Sequence, residues 1–243
     1  MSQANTVCII QARMGSTRLL GKIALPLLGK PMLWWVVHRV TKSRLVDAVV
    51  VATTTNPQDD PTAAMCNDFG WPCFRGSEED VLDRYYQAAR EFGAAHIVRI
   101  TSDCPLIDPS VIDLVVAAYR STAPMVDYAS NTQQRCYPRG LDTEVFGAAA
   151  LERAWIEDQS AWREHVTPYF YRHPEWFRLA SVSNPTDYSH HRWTVDTPED
   201  FELIERIYSH FGHGDFGWRD VLTLLDKHPE WIALNQHIEQ KRI

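Results

Sequence analysis

Cysteine is scarce in this chain and its spacing forms no pattern. The five present (Cys8, Cys66, Cys73, Cys104 and Cys136) are odd in number, and none falls in a C-x-x-C pair. That excludes a disulfide framework and a zinc ribbon, and predicts reduced thiols in a cytoplasmic protein. Cys104 reads as a small buried filler. Long apolar runs are missing too: no stretch approaches the roughly 18 residues of a membrane helix. The first residues, MSQANTV, carry no basic segment followed by an apolar one, so no signal peptide is expected. Net positive charge is absent, at −7 with a pI near 5.8. A broad nucleic-acid footprint is therefore excluded, and no nucleic-acid or membrane partner is expected.

What is present is an ordinary globular composition, 45% hydrophobic and 23% charged over 243 residues, enough for one large α/β domain. The first half alternates strand and helix. TVCII, DAVVVATT, PCFRG and HIVRITS are apolar or valine-rich runs fit for buried parallel strands. Between them, helices are predicted from KPMLWWVVHRVTKS, from DPTAAMCNDFG closed by Gly70, and from SEEDVLDRYYQAAREFG, where Ser77 and Asp80 suggest a capping box. A fourth, DPSVIDLVVAAYRS, starts with Asp108 as cap and Pro109 in its first turn. This rhythm predicts a three-layer sheet, mostly parallel, with ligands at the carboxyl ends of its strands. After about residue 125 the rhythm changes. A strand is expected at HHRWTVDT, a continuous helical stretch at SAWREHVTPYFYRH, and closing helices from PEDFELIERIYSHFG and WRDVLTLLDKHPEW.

The chemistry concentrates in strand-end loops. IIQARMGSTRLLGK runs from an apolar strand into a loop with Arg13, Ser16, Arg18 and Lys22 near Gly15 and Gly21. This loop is neither a Walker loop nor a dinucleotide fingerprint. Arginine forks and a mobile lysine fit a polyanion such as a nucleoside triphosphate, and they equally fit a solvated basic loop. Asp103 in ITSDCPLID and Asp196 in RWTVDTPEDF both follow apolar runs, where a carboxylate suits Mg²⁺ completed by substrate phosphates. Glu199 and Asp200 read as helix caps. The turn Arg75-Gly76-Ser77 stands where backbone groups read a base or ribose, or where a helix simply starts. Arg139, Asp142, Glu144, Arg163 and His165 form a polar set fit for an anionic acceptor. The histidines at Ser189-His190-His191 and His210-x-x-His213 have no zinc partner set.

Taken together, these segments resemble the cytidylyltransferases that make CMP-activated sugar acids. RGSEEDVLDRYY, TSDCPLIDP, PRGLDTEVF, REHVTPYFY and WTVDTPEDF are most similar to the branch named for spore-coat polysaccharide synthesis. The resemblance spans about residues 7 to 205. It implies a Rossmann-like nucleotidyltransferase (GT-A-like) fold with an inserted β/α subdomain: a nucleotide-binding half over 1–125, an acceptor-binding and dimerisation insertion over 126–192, and closing elements over 193–243. It implies CTP, Mg²⁺ and a small acidic acceptor as partners, pyrophosphate as a product, and a homodimer. By position it assigns Arg13 and Lys22 to catalysis on the triphosphate, with Ser16 and Arg18 beside them. It assigns Arg75, Gly76 and Ser77 to the nucleoside, and Asp103 and Asp196 to the metal. Two departures stand out. Leu20 replaces the usual proline, removing a φ restraint but no charge, and TSDCP differs from the usual sugar-acid pattern. A glycosyltransferase consuming a nucleotide sugar would show a D-x-D motif, which TSDCP is not. A silent nucleotide-binding protein would have no need to retain Arg13, Lys22, Asp103 and Asp196.

Overall fold

A computed structural model describes residues 5–121 and 126–240. Seven strands form one sheet: β1 (Thr6–Gln11), β2 (Ala48–Thr54), β3 (Cys73–Gly76), β4 (His96–Thr101), β5 (Tyr128–Ser130), β6 (Glu144–Gly147) and β7 (Leu179–Ser181), in the order β3-β2-β1-β4-β6-β5-β7. The first four are parallel; β6 is antiparallel to both β4 and β5, and β7 is parallel to β5. The expected mostly parallel sheet with flanking helices is present. The division expected near residue 125 falls outside the described residues, and β5, β6 and β7 extend the same sheet.

Alternation along β1 sends Cys8 and Ile10 to one face and Val7 and Ile9 to the other. Cys8 and Ile10 join a core with α1 (Met32–Val40), α4 (Pro109–Ser121), α7 (Pro198–Phe211) and α8 (Trp218–Lys227). Val7 and Ile9 pack against α3 (Val81–Glu91), α5 (Ala148–Glu157) and α6 (Pro168–Arg172). Each fully buried aliphatic side chain contributes about 1.5–3 kcal/mol, and this two-sided burial is why β1 reads as a continuous apolar run. The chain leaves β1 toward β2 and β3, then crosses back to β4. That reversal opens a crevice beyond the carboxyl ends of β1 and β4.

The helices before α5 start and stop close to where the sequence indicates. Gly70 closes α2 (Asp60–Phe69) in the left-handed conformation, at φ 67°. The cap of α3 differs from the expectation. Asp80 accepts from Asp83 N at 2.9 Å and is the cap itself, while Ser77 Oγ only accepts from Asp80 N.

Two later expectations are corrected. SAWREHVTPYFYRH is not one helix, because a 3-10 turn (Ala161–His165) is broken from α6 at Val166, whose φ is 68°. Pro168 then stands in the first turn of α6, where it has no N–H to donate back to the preceding turn. HHRWTVDT is not a strand of the sheet. Arg192 forms a lone bridge with Arg139, and Val195 N donates to the carbonyl of Asp103 at 2.8 Å, so the segment threads between two loops.

Candidate active site

The crevice at the reversal is a cleft of about 980 Å³. Loops after β1 and β4, the Arg139–Glu144 segment and the Thr194–Asp196 segment line it. Seven cations (Arg13, Arg18, Lys22, Arg84, Arg99, Arg135 and Arg139) face five carboxylates there, an excess of positive charge in a chain whose net charge is −7. The local excess therefore attracts an anion to this cleft in spite of the negative net charge.

The loop after β1 is pinned at several points. Ala12 N donates to the Ala52 carbonyl at 3.0 Å, and Met14 N to Asp59 Oδ1 at 2.6 Å. Ser16 N and Gly21 N both donate to the Met14 carbonyl, at 2.8 and 3.3 Å. Gly21, at φ 62°, then turns the chain into the 3-10 turn Lys22–Ala24. Leu20 lies 75% exposed at the outside of this loop, so the bonds at Met14 do the restraining that a proline would otherwise share. Arg13 stays partly exposed, 3.7 Å from Glu164.

Lys22, Asp103 and Asp196 meet at the floor. Lys22 Nζ donates to Asp103 Oδ2 at 3.1 Å, to Asp196 Oδ1 at 2.9 Å and to the Val195 carbonyl at 2.7 Å. Asp196 Oδ2 also takes Arg18 at 2.9 Å and Arg192 at 2.8 Å. Arg192 is in turn fixed by the fully buried Asp200, through contacts of 2.8 and 3.0 Å. Asp200 closes a capping box with Thr197, as expected of it, and accepts from Asp196 N at 2.9 Å. The peptide ahead of Asp196 is located by Gly140. At φ 103°, Gly140 lies so close to the Trp193 backbone that a Cβ would stand 2.7 Å from the Trp193 carbonyl carbon.

Burial works against charge at these groups, but the ion pairs outweigh it. The Lys22 ammonium is held above its ordinary range by Asp103 and Asp196. The Asp103 carboxyl is held below the carboxylate range by the Lys22 ammonium and by the Thr101 hydroxyl. A carboxyl with a lowered folded value contributes stability that is full above its unfolded value and is lost as pH falls through the folded one. The stability gap between wild type and Asp103→Asn in urea unfolding is thus expected to stay constant above about pH 5 and to shrink below about pH 4. A gap that does not change with pH would refute the pairing. Cys104, beside Asp103, has its thiol pushed up by burial and then by the Asp103 charge; it is a protonated filler, as expected.

Several expected site residues are not among those that line the cleft. Arg75, Gly76 and Ser77 do not line the cleft. Arg75 pairs with Asp60 at 2.7 Å and donates to the Thr54 carbonyl. Gly76 makes room for Phe74 and Arg84, which a Cβ would meet at 2.8 and 3.1 Å. Arg163 spends its donors on Asp80 and on the carbonyls of Trp155 and Asp158, clasping α3 to the end of α5. Of the acceptor set, Arg139, Asp142, Glu144 and His165 do line the cleft. Asp142 holds Arg135 by two bonds of 2.6 and 2.8 Å. Glu144 pairs with Arg99 and accepts from Tyr128 at 2.5 Å. Burial, then the neighbouring Arg135 charge, lowers the Arg139 guanidinium.

Sequence reasoning missed Arg84, Arg99, Arg135 and Arg192. Two of these carried a signal: Arg84 falls on the apolar face of α3 with Val81 and Tyr85, and Arg99 interrupts the buried run of β4. A charge at a core position needs a partner or a ligand. A second cavity, of about 470 Å³, lies at the start of α8. Its helix-end N–H groups are already taken, Trp218 N by Asp108 and Gly217 N by Asp220.

Among the described residues, no cluster of three or more His, Cys, Asp or Glu is built to hold a metal. Asp103 and Asp196 nonetheless converge on one point, since a single Nζ touches both. Two hard carboxylates completed by substrate oxygens and waters are a donor set that fits Mg²⁺.

Residues 7–233 match the family described as cytidylyltransferase. The chain belongs to that family. The cytidylyltransferase fold and the cleft described above thus belong to an enzyme of nucleotidyl transfer from CTP, which sets aside the glycosyltransferase and silent-binding alternatives. The spore coat polysaccharide biosynthesis protein SpsF of Bacillus subtilis is 36% identical over 233 residues, covering 91% of this chain and 94% of that one. A 3-deoxy-manno-octulosonate cytidylyltransferase of Chlorobaculum tepidum is 30% identical, covering 76% and 71%. Among solved structures, a cytidylyltransferase from Leptospira borgpetersenii superposes with a TM-score of 0.91 at 35% identity, covering 99% of this chain and all of that one. No helix among the described residues is long and apolar enough to cross a membrane.

Proposed function

We propose that this cytidylyltransferase transfers CMP from CTP to a small acidic acceptor, a sugar acid or a related anion, for surface-polysaccharide precursors. The observation that carries the reading is the convergence of the Arg13–Lys22 loop on Asp103 and Asp196 at the reversal of the sheet. The names of the SpsF and octulosonate relatives support a polysaccharide-precursor acceptor. A cytoplasmic homodimer is part of the same proposal.

An acceptor oxygen bonds the α-phosphorus, the bond to the bridging oxygen breaks, and pyrophosphate leaves. The protein's part is positioning and neutralising charge. Arg13 and Arg18 offer guanidinium forks to the triphosphate, and Lys22 adds a mobile point charge. Asp103 and Asp196 would hold Mg²⁺, which when bound would supply Lewis-acid polarisation of the α-phosphate. Arg18 and Arg192 keep Asp196 in place. Arg139, whose cleft neighbours Asp142 and Glu144 are already paired with Arg135 and Arg99, receives the acceptor's anionic group.

Arg139→Ala is expected to raise KM for the acceptor about tenfold or more, as loss of a charge-assisted hydrogen bond does, with KM for CTP little changed. Equal effects on both constants would remove Arg139 from the acceptor side. The reaction class is tested by supplying each of the four nucleoside triphosphates, Mg²⁺ and a panel of acidic sugars. Pyrophosphate is expected with CTP and an acidic acceptor together. Its formation from CTP with neutral sugars alone would refute the acidic class.

A further inference from the structure

We propose that Lys22 and a divalent cation are mutually exclusive occupants of the gap between Asp103 and Asp196, so that the lysine gates the metal site. The inference rests on the reading of those aspartates as metal ligands. The ammonium has three protons, and all three are used, on Asp103, Asp196 and the Val195 carbonyl. A metal bound to the same carboxylate oxygens, at the roughly 2.0–2.1 Å that Mg²⁺ requires, would share the space of Nζ. Without nucleotide, Asp196 Oδ2 is engaged by Arg18 and Arg192, so the oxygens that face the gap between the two carboxylates are the ones Nζ occupies. A metal that bridges the two carboxylates through these oxygens therefore requires Lys22 to leave.

The fold lets the lysine leave while the carboxylates stay. Lys22 hangs from a 3-10 turn whose backbone bonds, Ala24 N to the Gly21 carbonyl and Leu25 N to the Lys22 carbonyl, do not involve its side chain. Its four-carbon stem carries the whole displacement. Asp196 remains fixed by Arg192 and by its own N–H on Asp200. The Asp103 backbone remains tied to Val195. The incoming triphosphate supplies the replacement: its oxygens accept from the ammonium, and the freed carboxylate pair accepts the metal. Metal and nucleotide then bind cooperatively, and metal alone binds weakly. The lysine blocks the metal without a nucleotide and serves the phosphates with one.

Mn²⁺ titration of the full-length protein, followed by the electron paramagnetic resonance of free Mn²⁺, tests this without turnover. Lys22→Met is expected to bind Mn²⁺ at least about tenfold tighter than wild type in the absence of nucleotide, and to bind CTP more weakly. Adding Asp103→Asn to that variant is expected to abolish the gain. If Lys22→Met is poorly folded without metal, the same competition appears as a larger rise in melting temperature on adding Mn²⁺ than wild type shows. Lys22→Gln, which keeps a polar stem, provides the second variant. Mn²⁺ affinity in both variants no higher than wild type, with Asp103→Asn still weakening Mn²⁺ binding in the presence of CTP, would overturn the gate and leave the metal reading intact. Mn²⁺ binding with CTP unaffected by both Asp103→Asn and Asp196→Asn would overturn the metal reading itself.

Discussion

Lys22→Ala is expected to lower kcat/KM for CTP by on the order of 10²-fold or more, the size of effect that follows loss of a transition-state charge contact. The structure gives this expectation two sources. Among the described residues, Lys22 is the one cation that touches both floor aspartates, so without it their charges face each other with less compensation. Lys22 is also the mobile charge of a loop whose other cations, Arg13 and Arg18, lie nearer the surface. Breaking a mostly buried ion pair by removing one partner costs about 3–5 kcal/mol in well-buried cases. The kinetics therefore need to be run well below the variant's melting temperature, with the fold checked by circular dichroism. Near-normal turnover in a folded Lys22→Ala protein would remove the lysine from the reaction.

The second large effect is structural and comes from a residue that carries no charge itself. Gly140→Ala is expected to destabilise the protein by about 3 kcal/mol, through a strained left-handed φ and a Cβ forced onto the Trp193 backbone. For a chain of this size that corresponds to a fall of roughly 6–12 °C in melting temperature. Activity is expected to fall as well at temperatures where the variant is folded. Moving the Trp193 peptide moves Val195 and Asp196, which hold Lys22. A thermal melt and a steady-state assay check both parts. An unchanged melting temperature would show that the Gly140–Trp193 approach is not needed.

Residue spacing explains why some of this was legible and some was not. The run TVCII and the valines of β2 announce buried strands because both faces are covered, and Gly70 and Pro109 mark helix ends by local chemistry alone. Asp103 and Asp196 stood out because carboxylates after apolar runs are expensive unless they are paired or used. Their meeting at Lys22 depends on a segment 174 residues from the lysine threading beside Asp103, which no local pattern records. Arg75 and Arg163 illustrate the opposite case. Each lies in a polar-rich segment that reads as a site, yet each finds its partner, Asp60 or Asp80, through tertiary placement that the linear sequence does not show. Arg84 and Arg99 were legible in principle, as charges on faces that are otherwise apolar.

In the proposed reaction the α-phosphate of CTP ends up on the acceptor. CTP labelled at the α-phosphorus, incubated with the enzyme, Mg²⁺ and an acidic sugar acceptor, tests this most directly when the products are separated. The label is expected in a new CMP–acceptor species that forms in step with unlabelled pyrophosphate and disappears in Asp103→Asn. Label recovered only as CTP, or as free CMP or CDP with the acceptor unmodified across the acidic panel, would contradict it.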